Sequence, residues 1–462
     1  MSLIQNGRAV IWSCIAGENP EHRMEPSYNK LVSHMFEPAV RTLEAGFSAS
    51  QLATIVGHGP IELIRRNIVS ALQPGDVFVW VGAANMEWAE SKHVAPFVNM
   101  VLFNLTRLGV LTVYYSTEAN EHHPCDEKRR LPVREIWEYT RKNAICCPDE
   151  PTRVRVRYVP PGFSGRRVVA ASHLQPTAPL TLAFFGSASS VYDERKACLE
   201  HITRGLVVGL PNSLPASCVA TACLRKCGKH HCPLKTLHRI DTEVAWNNSL
   251  AAHSVFLNVH KACEWGAERR DSYLPSTASC ESFRLADLLS SGAEIVSEHC
   301  HPADEREYYG LVTFLPIPKV STAVLAAWAE RDKAHERAHM RMTEFKTRFA
   351  PVRIFERAGI TTLLATLRER RSRDHWSRVV TLQAPVAYPE SRPEGESVPN
   401  FCCFNRDECE LKQLESRKGK QLRRANGTRS WGDLVNKLKA SQVSRRRHAR
   451  SQAKWAMRPA GS

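Results

Sequence analysis

The chain has 462 residues, of which 43% are hydrophobic and 24% charged, and its net charge is +16. This length suits two or three globular domains, and the apolar content is ordinary for globular proteins. No run approaches the roughly 18 apolar residues of a membrane-spanning helix, and the first residues, MSLIQNGRAVIW, lack the layout of a secretory signal. We therefore expect a cytoplasmic protein that does not span a membrane.

The first part of the chain alternates strand and helix patterns. Short apolar runs rich in β-branched residues predict strands at 8–14, 76–82, 110–117, 144–147 and 154–159. Apolar residues at helical spacing predict helices at 26–45, 60–72, 96–109 and 133–143. Strands that alternate with helices are typical of an α/β fold with a largely parallel sheet.

The alternation starts again after a polar linker at 165–178. Strands are predicted at 180–186, 206–210, 255–259, 294–298 and 308–316. Helices are predicted at 192–205, 242–250, 280–291, 321–346 and 353–370. Two successive α/β units of this kind predict two Rossmann-like domains, and ligands favour the cleft between two such domains.

The stretch 254–298 is the most informative part of the sequence. It predicts strand 255–259, a loop, helix 280–291 ending at Gly292, and strand 294–298. In open α/β sheets the carboxyl ends of the strands hold the ligand. This places His260, Glu281 and the loop after Glu298 at the expected ligand edge.

Positive charge is concentrated at the end of the chain. Residues 411–462 contain 15 Lys and Arg against two acids, a net +13, so the remaining 410 residues carry +3. We predict that 372–462 is mainly disordered. The tail, with arginines 445–447 and Trp431 and Trp455, suggests binding to nucleic acid or an anionic membrane. The alternative is a cationic extension without one function.

The chain has 15 cysteines at irregular spacings. Without a secretion signal we expect mostly reduced thiols. Cys218, Cys223, Cys227 and Cys232 lie near three histidines, His230, His231 and His238, and form a weak zinc candidate. The alternative is a surface insertion with free thiols, and no other metal site is predicted.

Several short motifs occur in an order that resembles a known family. They are GDVFVWVG, VYYSTE, YVPPG, FFGS…ERK, LNVH and E-x-x-R-x-x-D…SSGAEIVSE. Over about 75–315, roughly half of the chain, this series resembles the retaining, group-1-like glycosyltransferases of the GT-B fold. The first 75 and the last 90 residues are covered poorly or not at all.

The resemblance implies a domain organisation. It gives an acceptor domain at 1–165, a nucleotide-sugar domain at 179–350 facing it across a cleft, a helix crossing back at 351–371, and the basic tail at 372–462. It also implies a nucleoside diphosphate sugar as donor substrate and no required cofactor.

The resemblance assigns two acids to the helix at 280–291. Glu281 would contact the transferred sugar, and Asp287 would hold the ribose, with Arg284 between them. The family's longer E-x7-E spacing fails because Leu289 stands at its second position. The alternative is that Glu281 only complements the helix dipole and that Arg284 pairs with Asp287 on a solvated face.

Other candidates lie at strand ends. His260 and Lys261 would neutralise the charge of the leaving diphosphate. Gly186 and Ser187 would allow the close approach of a phosphate, because Gly186 has no side chain. Arg195 and Lys196, on the next helix, would reach the same diphosphate, as an Arg/Lys pair does in related enzymes. A structural histidine and a solvated charge pair are the corresponding alternatives.

Three candidates concern the acceptor and the hinge. Glu118 ends its strand on the cleft side and would orient the acceptor. His58, in a Gly-His-Gly loop, is a further candidate for contact with the acceptor or the sugar. Glu298 would lie near the nucleotide or the hinge, or would cap the following helix.

The sequence therefore predicts a glycosyltransferase that moves a sugar, with retention, from a nucleoside diphosphate to a glycan, lipid or protein acceptor. Glu281, His260 and Glu118 are its predicted catalytic residues. A non-catalytic binding protein of the same fold, recruited to RNA or membrane by its tail, is the alternative. A sugar-nucleotide epimerase on this fold is a third hypothesis.

Overall fold

The computed structural model consists of two units, Met1–Phe404 and Asn405–Ser462. The described residues all belong to the first unit. They are 7–13, 26–58, 72–82, 91–118, 125–147, 149, 154–165, 168–174, 182–184, 193–209, 234–236, 243–253, 255–260, 263 and 278–372. All but the last residue of the predicted helix at 60–72, most of 211–240 and the basic tail after Ser372 lie outside this part.

The first sheet contains six described strands, in the order β2-β1-β3-β4-β5-β6, and each neighbouring pair is parallel. The strands are β1 (Arg8–Ser13), β2 (Ala53–His58), β3 (Val77–Gly82), β4 (Leu111–Ser116), β5 (Glu135–Glu138) and β6 (Arg155–Tyr158). Every residue of β3 and β4 is buried, as expected for central parallel strands covered on both faces.

The second sheet has five described strands in the order β11-β10-β9-β7-β8, and it is also parallel. The strands are β7 (Leu182–Phe184), β8 (Leu234–Thr236), β9 (Val255–Asn258), β10 (Glu294–Glu298) and β11 (Thr313–Leu315). The chain leaves β7 first towards β8 and then returns to β9 on its other side. The strand order therefore reverses between β7 and β9.

Helices connect the strands. They are α1 (Pro26–Ala49), α2 (Ser91–Arg107), α3 (Cys125–Arg129), α4 (Arg141–Cys146), α5 (Asp193–Gly209), α6 (Glu243–Ala252), α7 (Ser282–Leu289), α8 (Pro302–Glu307), α9 (Ile317–Ala329), a 3-10 turn (Arg331–Lys333), α10 (Ala334–Arg348), α11 (Pro351–Arg357) and α12 (Ile360–Ser372). Among these described helices, none is long and apolar enough to cross a membrane. The prediction of an α/β fold with parallel sheets is confirmed.

One hydrophobic cluster contains side chains from both sheets and from the helices that follow them. Phe283 of α7 stacks on Tyr139, just after β5, with ring centroids 4.8 Å apart. Phe355 of α11 meets Phe47 of α1 edge to face at 5.1 Å, and its ring lies against Gly46, where a Cβ would collide. Residues from the end of the described chain thus complete the core beside the first sheet.

The predicted helix at 133–143 and strand at 144–147 are wrong. The chain forms β5 first and then α4. Val133, Ile136 and Trp137 have helical spacing, but Ile136 and Trp137 are buried in different clusters on opposite faces of the sheet. Burial on both faces therefore outweighs the helical pattern at this position.

Two further boundaries differ from the prediction. Residues 206–209, predicted to start a strand, continue α5, because Leu206 is buried in the same cluster as Leu199 and Ile202 at helical spacing. The single helices predicted at 321–346 and 353–370 are each divided. The second division falls at Gly359, whose φ of +68° ends α11 in the left-handed region.

Every described cysteine is part of a disulfide, so the expectation of mostly reduced thiols is wrong for this part of the chain. Three pairs lie wholly within it, Cys125–Cys147, Cys198–Cys263 and Cys280–Cys300, with Cα atoms 5.4, 6.5 and 5.4 Å apart. These separations fall within the range that a disulfide spans. The irregular sequence spacing hid the pairs, because each one is brought together by the tertiary fold.

Candidate functional site

The candidate site lies where the strand order of the second sheet reverses. His260 follows β9 by two residues and Glu298 ends β10, so both occupy the carboxyl edge of the sheet. Arg195 is on α5, the helix after β7, and Glu281 immediately precedes α7. Crevices at such reversal points are the usual ligand positions in open α/β sheets.

His260 and Glu298 are buried next to each other at this edge of the sheet. The side chains are 5% and 6% exposed, and Glu298 Oε1 accepts a hydrogen bond from the backbone N–H of His260. Nδ1 of His260 lies 3.0 Å from the same oxygen without hydrogen-bond alignment. Among the described residues, Nε2 of His260 has no hydrogen-bond partner. A buried imidazole nitrogen is thus available at the sheet edge.

Arg195 joins the strand ends to the start of α7. Its Nε donates to the carbonyl of His260 at 3.2 Å, and its Nη2 lies 3.7 Å from Oε1 of Glu281. The guanidinium is 3% exposed, whereas the Glu281 side chain is 30% exposed. Since a guanidinium presents several donors in a fixed plane, this buried cation suits an oxyanion ligand.

A second arginine side chain lies near the same aromatic ring, that of Phe184, as Arg195 does. Arg284 of α7 donates from Nη1 to Oδ1 of Asn258 at 2.7 Å. Asn258, the last residue of β9, in turn donates to Oγ of Ser297 at 2.9 Å. The guanidinium carbons of Arg284 and Arg195 each lie 5.5 Å from the ring centroid of Phe184. Two cations are therefore held at the ends of β7 and β9.

Glu281 occupies the N-cap position of α7, but its side chain makes no capping hydrogen bond. The hydroxyl of Ser279, two residues earlier, donates to Oδ1 of Asn143 at 3.2 Å. The carboxylate of Glu281 is instead turned to Arg195. The backbone N–H of Ser282 already donates to the carbonyl of Cys280 at 2.8 Å. The positive end of the helix and two nearby guanidinium groups still make this an anion-binding environment.

Glu118 approaches the same region from the first sheet. Tyr139 is buried, and its burial raises the pKa of its phenol well above the usual value. The negative charges of Glu281 and Glu118 raise that pKa further, as do those of Asp304 and Glu138. Glu118 and Glu281, predicted separately, therefore both lie within electrostatic range of one phenol.

A buried polar network that the sequence did not indicate supports Glu118. Nζ of Lys128 forms an ion pair with Oε1 of Glu138 at 2.8 Å, and both side chains are fully buried. Asn143 donates from Nδ2 to Oε2 of Glu138 at 3.1 Å and to the carbonyl of Glu118 at 3.0 Å. With the bond from Ser279, this network connects the end of β4 to the start of α7.

Asp304 of α8 makes a second connection between the segment that follows the first sheet's β5 and the segment that precedes α7. Its carboxylate accepts the backbone N–H of Lys142 at 3.0 Å and that of Cys280 at 3.2 Å. Burial raises the pKa of Asp304 to about 6, although these N–H groups act in the opposite direction. Burial likewise lowers the pKa of Lys142 to about 8, against the attraction of Asp304. The sequence offered no signal for this contact between residues 162 positions apart.

Some predicted site residues are not part of this cluster. Lys196 and Asp287 are half-buried, and Lys196 forms no ion pair with any described residue. His58 ends β2 and does not lie in a loop, which corrects the expected Gly-His-Gly turn, and its side chain lies outside the described part. Gly186, Ser187, Lys261 and the four zinc candidates Cys218, Cys223, Cys227 and Cys232 also lie outside it.

The sequence matches no protein-family model and no curated protein sequence. The structure is similar to Anabaena Alr3699/HepE in complex with UDP-glucose, at 9% identity and a TM-score of 0.42, over 77% of this chain and 99% of that chain. It is also similar to a UDP-forming α,α-trehalose-phosphate synthase from Burkholderia xenovorans, at 11% identity and a TM-score of 0.41, over 81% and 100%. The N-terminal domain of Candida albicans trehalose-6-phosphate phosphatase shows 8% identity and a TM-score of 0.40, over 79% and 97%.

Proposed function

We propose that this chain is a glycosyltransferase of the GT-B type, which moves a sugar from a nucleoside diphosphate donor to an acceptor hydroxyl. The observation that carries the proposal is the buried guanidinium of Arg195, held between the His260 carbonyl, Glu281 and the Phe184 ring. A buried arginine with a half-buried acid beside it, at a sheet edge, suits a diphosphate that is attached to a sugar.

The donor half of the site follows from the charges. In the proposed complex the diphosphate lies against Arg195, Arg284 and the first turn of α7, where it meets guanidinium and backbone N–H donors. These groups stabilise the negative charge that develops on the leaving diphosphate. His260 Nε2 provides a further donor in the tautomer or charge state that carries a proton there. The predicted contacts of Gly186, Ser187, Lys196 and Lys261 belong to the same proposal.

The reaction breaks the bond between the anomeric carbon and the diphosphate oxygen, and forms a bond from that carbon to the acceptor oxygen. The acceptor proton leaves with a base or with the departing phosphate. We assign Glu281 to the transferred sugar, because it lies beside Arg195, and Glu118 to the acceptor, because it follows β4 of the first sheet. Retention of configuration, the ribose contact of Asp287 and a hinge role for Glu298 remain parts of the proposal.

The site has the groups for this chemistry without a cofactor, because arginine side chains and a helix N-terminus supply the positive charge. The location of the protein is a separate matter. Disulfides persist in oxidising compartments, so the three disulfides described above do not favour the cytoplasmic location expected from the sequence.

The test begins with binding. Calorimetric titration of the full chain with UDP and GDP is expected to show saturable binding of at least one of them. Arg195→Gln should weaken that binding at least about tenfold, since it removes a charge-assisted contact. The matched control is Arg204→Gln, which removes an exposed arginine from the same helix and should leave binding unchanged. Circular dichroism verifies that each variant is folded.

The second step is turnover. A screen of nucleotide sugars, with released nucleoside diphosphate as the readout, is expected to identify a donor. Glu281→Gln should then lower turnover at least about a hundredfold, because it removes the charge beside the reacting sugar. A folded wild-type chain that binds no nucleoside diphosphate and turns over no nucleotide sugar would refute the proposal.

A further inference from the structure

We propose that His335 and His339 on α10 form a binding site for a divalent transition-metal ion. The two histidines are four residues apart, so they lie one above the other on one face of the helix. Their Nε2 atoms are 3.2 Å apart, and the ring planes are nearly perpendicular, at 86°. Both side chains are exposed to solvent. This metal site is separate from the proposed glycosyltransferase site, and the proposal does not depend on the proposed function.

The separation of the two nitrogens suits a metal ion. Bonds from imidazole nitrogen to Zn²⁺ are roughly 2.0–2.1 Å long, so two such bonds across this gap enclose an angle of about 100°. That angle lies between the ideal octahedral and tetrahedral values. The separation of the two nitrogens therefore allows one metal ion to bind both of them. Imidazole pairs favour Zn²⁺, Ni²⁺ and Cu²⁺ over Mg²⁺ or Ca²⁺, which prefer oxygen ligands.

A proton lies between the two rings when no metal is bound, and its position decides which nitrogen atoms can bind a metal. At 3.2 Å one Nε2 donates a hydrogen bond to the other, in whichever tautomer places a proton there. A metal ion takes the place of that proton and accepts the lone pairs of both nitrogens. The ring that carried its proton on Nε2 then carries it on Nδ1, so both rings stay neutral and both Nε2 atoms face the metal.

The charges around the pair permit a cation. Arg337 and Arg341 are also on α10, but both turn to the opposite side and pair with Glu294 of β10, at 3.3 and 3.1 Å. Glu336 is exposed next to His335. Among the described residues, no third His, Cys, Asp or Glu completes a metal-binding group. Water or a ligand from another molecule therefore fills the remaining coordination positions.

The metal would act on a turn of α10 that supports α7. Ala338, between the two histidines, is buried, and its carbonyl faces Gly292 so closely that a Cβ there would collide. Nη1 of Arg341 also donates to the Gly292 carbonyl at 2.7 Å. A metal bridging His335 and His339 fixes this turn, so we expect it to stabilise the folded chain as a ligand does.

The experiment is a calorimetric titration of the full chain with Ni²⁺, repeated with Zn²⁺. The variants are His335→Gln, His339→Gln and the double variant, and the control is His299→Gln, an exposed histidine elsewhere. Wild type and control should bind one more equivalent of metal than the double variant. Each single variant should weaken this site at least about tenfold, because it loses the second ligand of a chelate.

A thermal melt gives an independent readout. Saturating Ni²⁺ should raise the Tm of wild type and of His299→Gln by more than that of the double variant. The comparison between variants subtracts any metal bound by the cysteines at 218–232. Because both histidines are exposed, the double variant should fold as wild type does, and circular dichroism checks this. Equal stoichiometry, affinity and Tm shift in wild type and the double variant would overturn the proposal.

Discussion

The ion pair between Lys128 and Glu138 allows a sharp test of how the first half of the site is held. Nζ and Oε1 are 2.8 Å apart, and neither side chain is exposed. At an effective dielectric constant of about 20, their attraction is about 6 kcal/mol, and the loss of hydration offsets most of it. Removing one partner leaves the other charge buried, and such changes cost about 3–5 kcal/mol.

We therefore expect Lys128→Met and Glu138→Gln each to lower the free energy of unfolding by about 3–5 kcal/mol. The double variant contains no buried charge at this position, and its glutamine oxygen still accepts the hydrogen bond from Asn143. We expect it to lie within about 1.5 kcal/mol of wild type, which corresponds to a coupling energy of about 4.5 kcal/mol or more. Urea unfolding followed by tryptophan fluorescence measures each corner of the cycle.

The matched control is a solvated pair on the same helix. Arg129 and Asp126 approach to 3.7 Å, but Asp126 is 85% exposed, so Asp126→Asn should change stability by less than about 1 kcal/mol. Two results would refute the reasoning: single buried variants that cost no more than this control, or a double variant whose cost is the sum of the two singles. The first would mean that water reaches the pair, and the second that the two charges act independently.

Backbone geometry, cross-linking and titration give three further predictions. Gly292→Ala should lower the free energy of unfolding in urea by about 3 kcal/mol, because φ is +73° and the new Cβ meets a carbonyl of α10. The control Gly310→Ala has a φ of +76° but open space around the new Cβ, so it should lower that free energy by only about 1 kcal/mol. Replacing Cys280 and Cys300 together by serine should cost about 3 kcal/mol for a loop of 20 residues, and an unchanged urea midpoint would contradict a role in stability. The pKa of the Asp304 carboxyl is about 6 in the folded chain and 3.8 ordinarily. Its contribution to the free energy of unfolding is therefore fully present below pH 4 and declines by about 3 kcal/mol as the pH rises through 6. Asp304→Asn should remove this decline, and the same dependence of stability on pH in wild type and variant would contradict the prediction.

The sheets were predictable where both faces of a strand are buried. Val77–Gly82 and Val255–Asn258 are short apolar runs, and local pattern alone identifies them as central strands. The pattern misled at Glu135–Glu138, where both ends of the strand are acidic. Those acids are compatible with a buried strand because Arg157 pairs with Glu135 and Lys128 pairs with Glu138. These partners are distant in sequence or on another element, so a local pattern does not contain them.

The residues of the candidate site also divide into those that the local sequence pattern indicated and those that it did not. Arg195, His260, Glu281 and Glu298 each follow or flank a recognisable strand, and the structure brings these four together. Asn143 and Asp304, by contrast, act through contacts 136 and 162 residues away in sequence. The cysteine pairs were missed for a related reason, since only the folded chain brings their Cα atoms within bonding range.

The position of α11 has a consequence for synthesis on the ribosome. Phe355 fills the space beside Gly46 and contacts Phe47 and Trp137, yet it is made some 200 residues after the last strand of the first sheet. The first sheet therefore emerges with an apolar gap that stays open while the whole second sheet is translated. Chains interrupted before Pro351 would expose that gap, and we expect them to aggregate or to recruit chaperones.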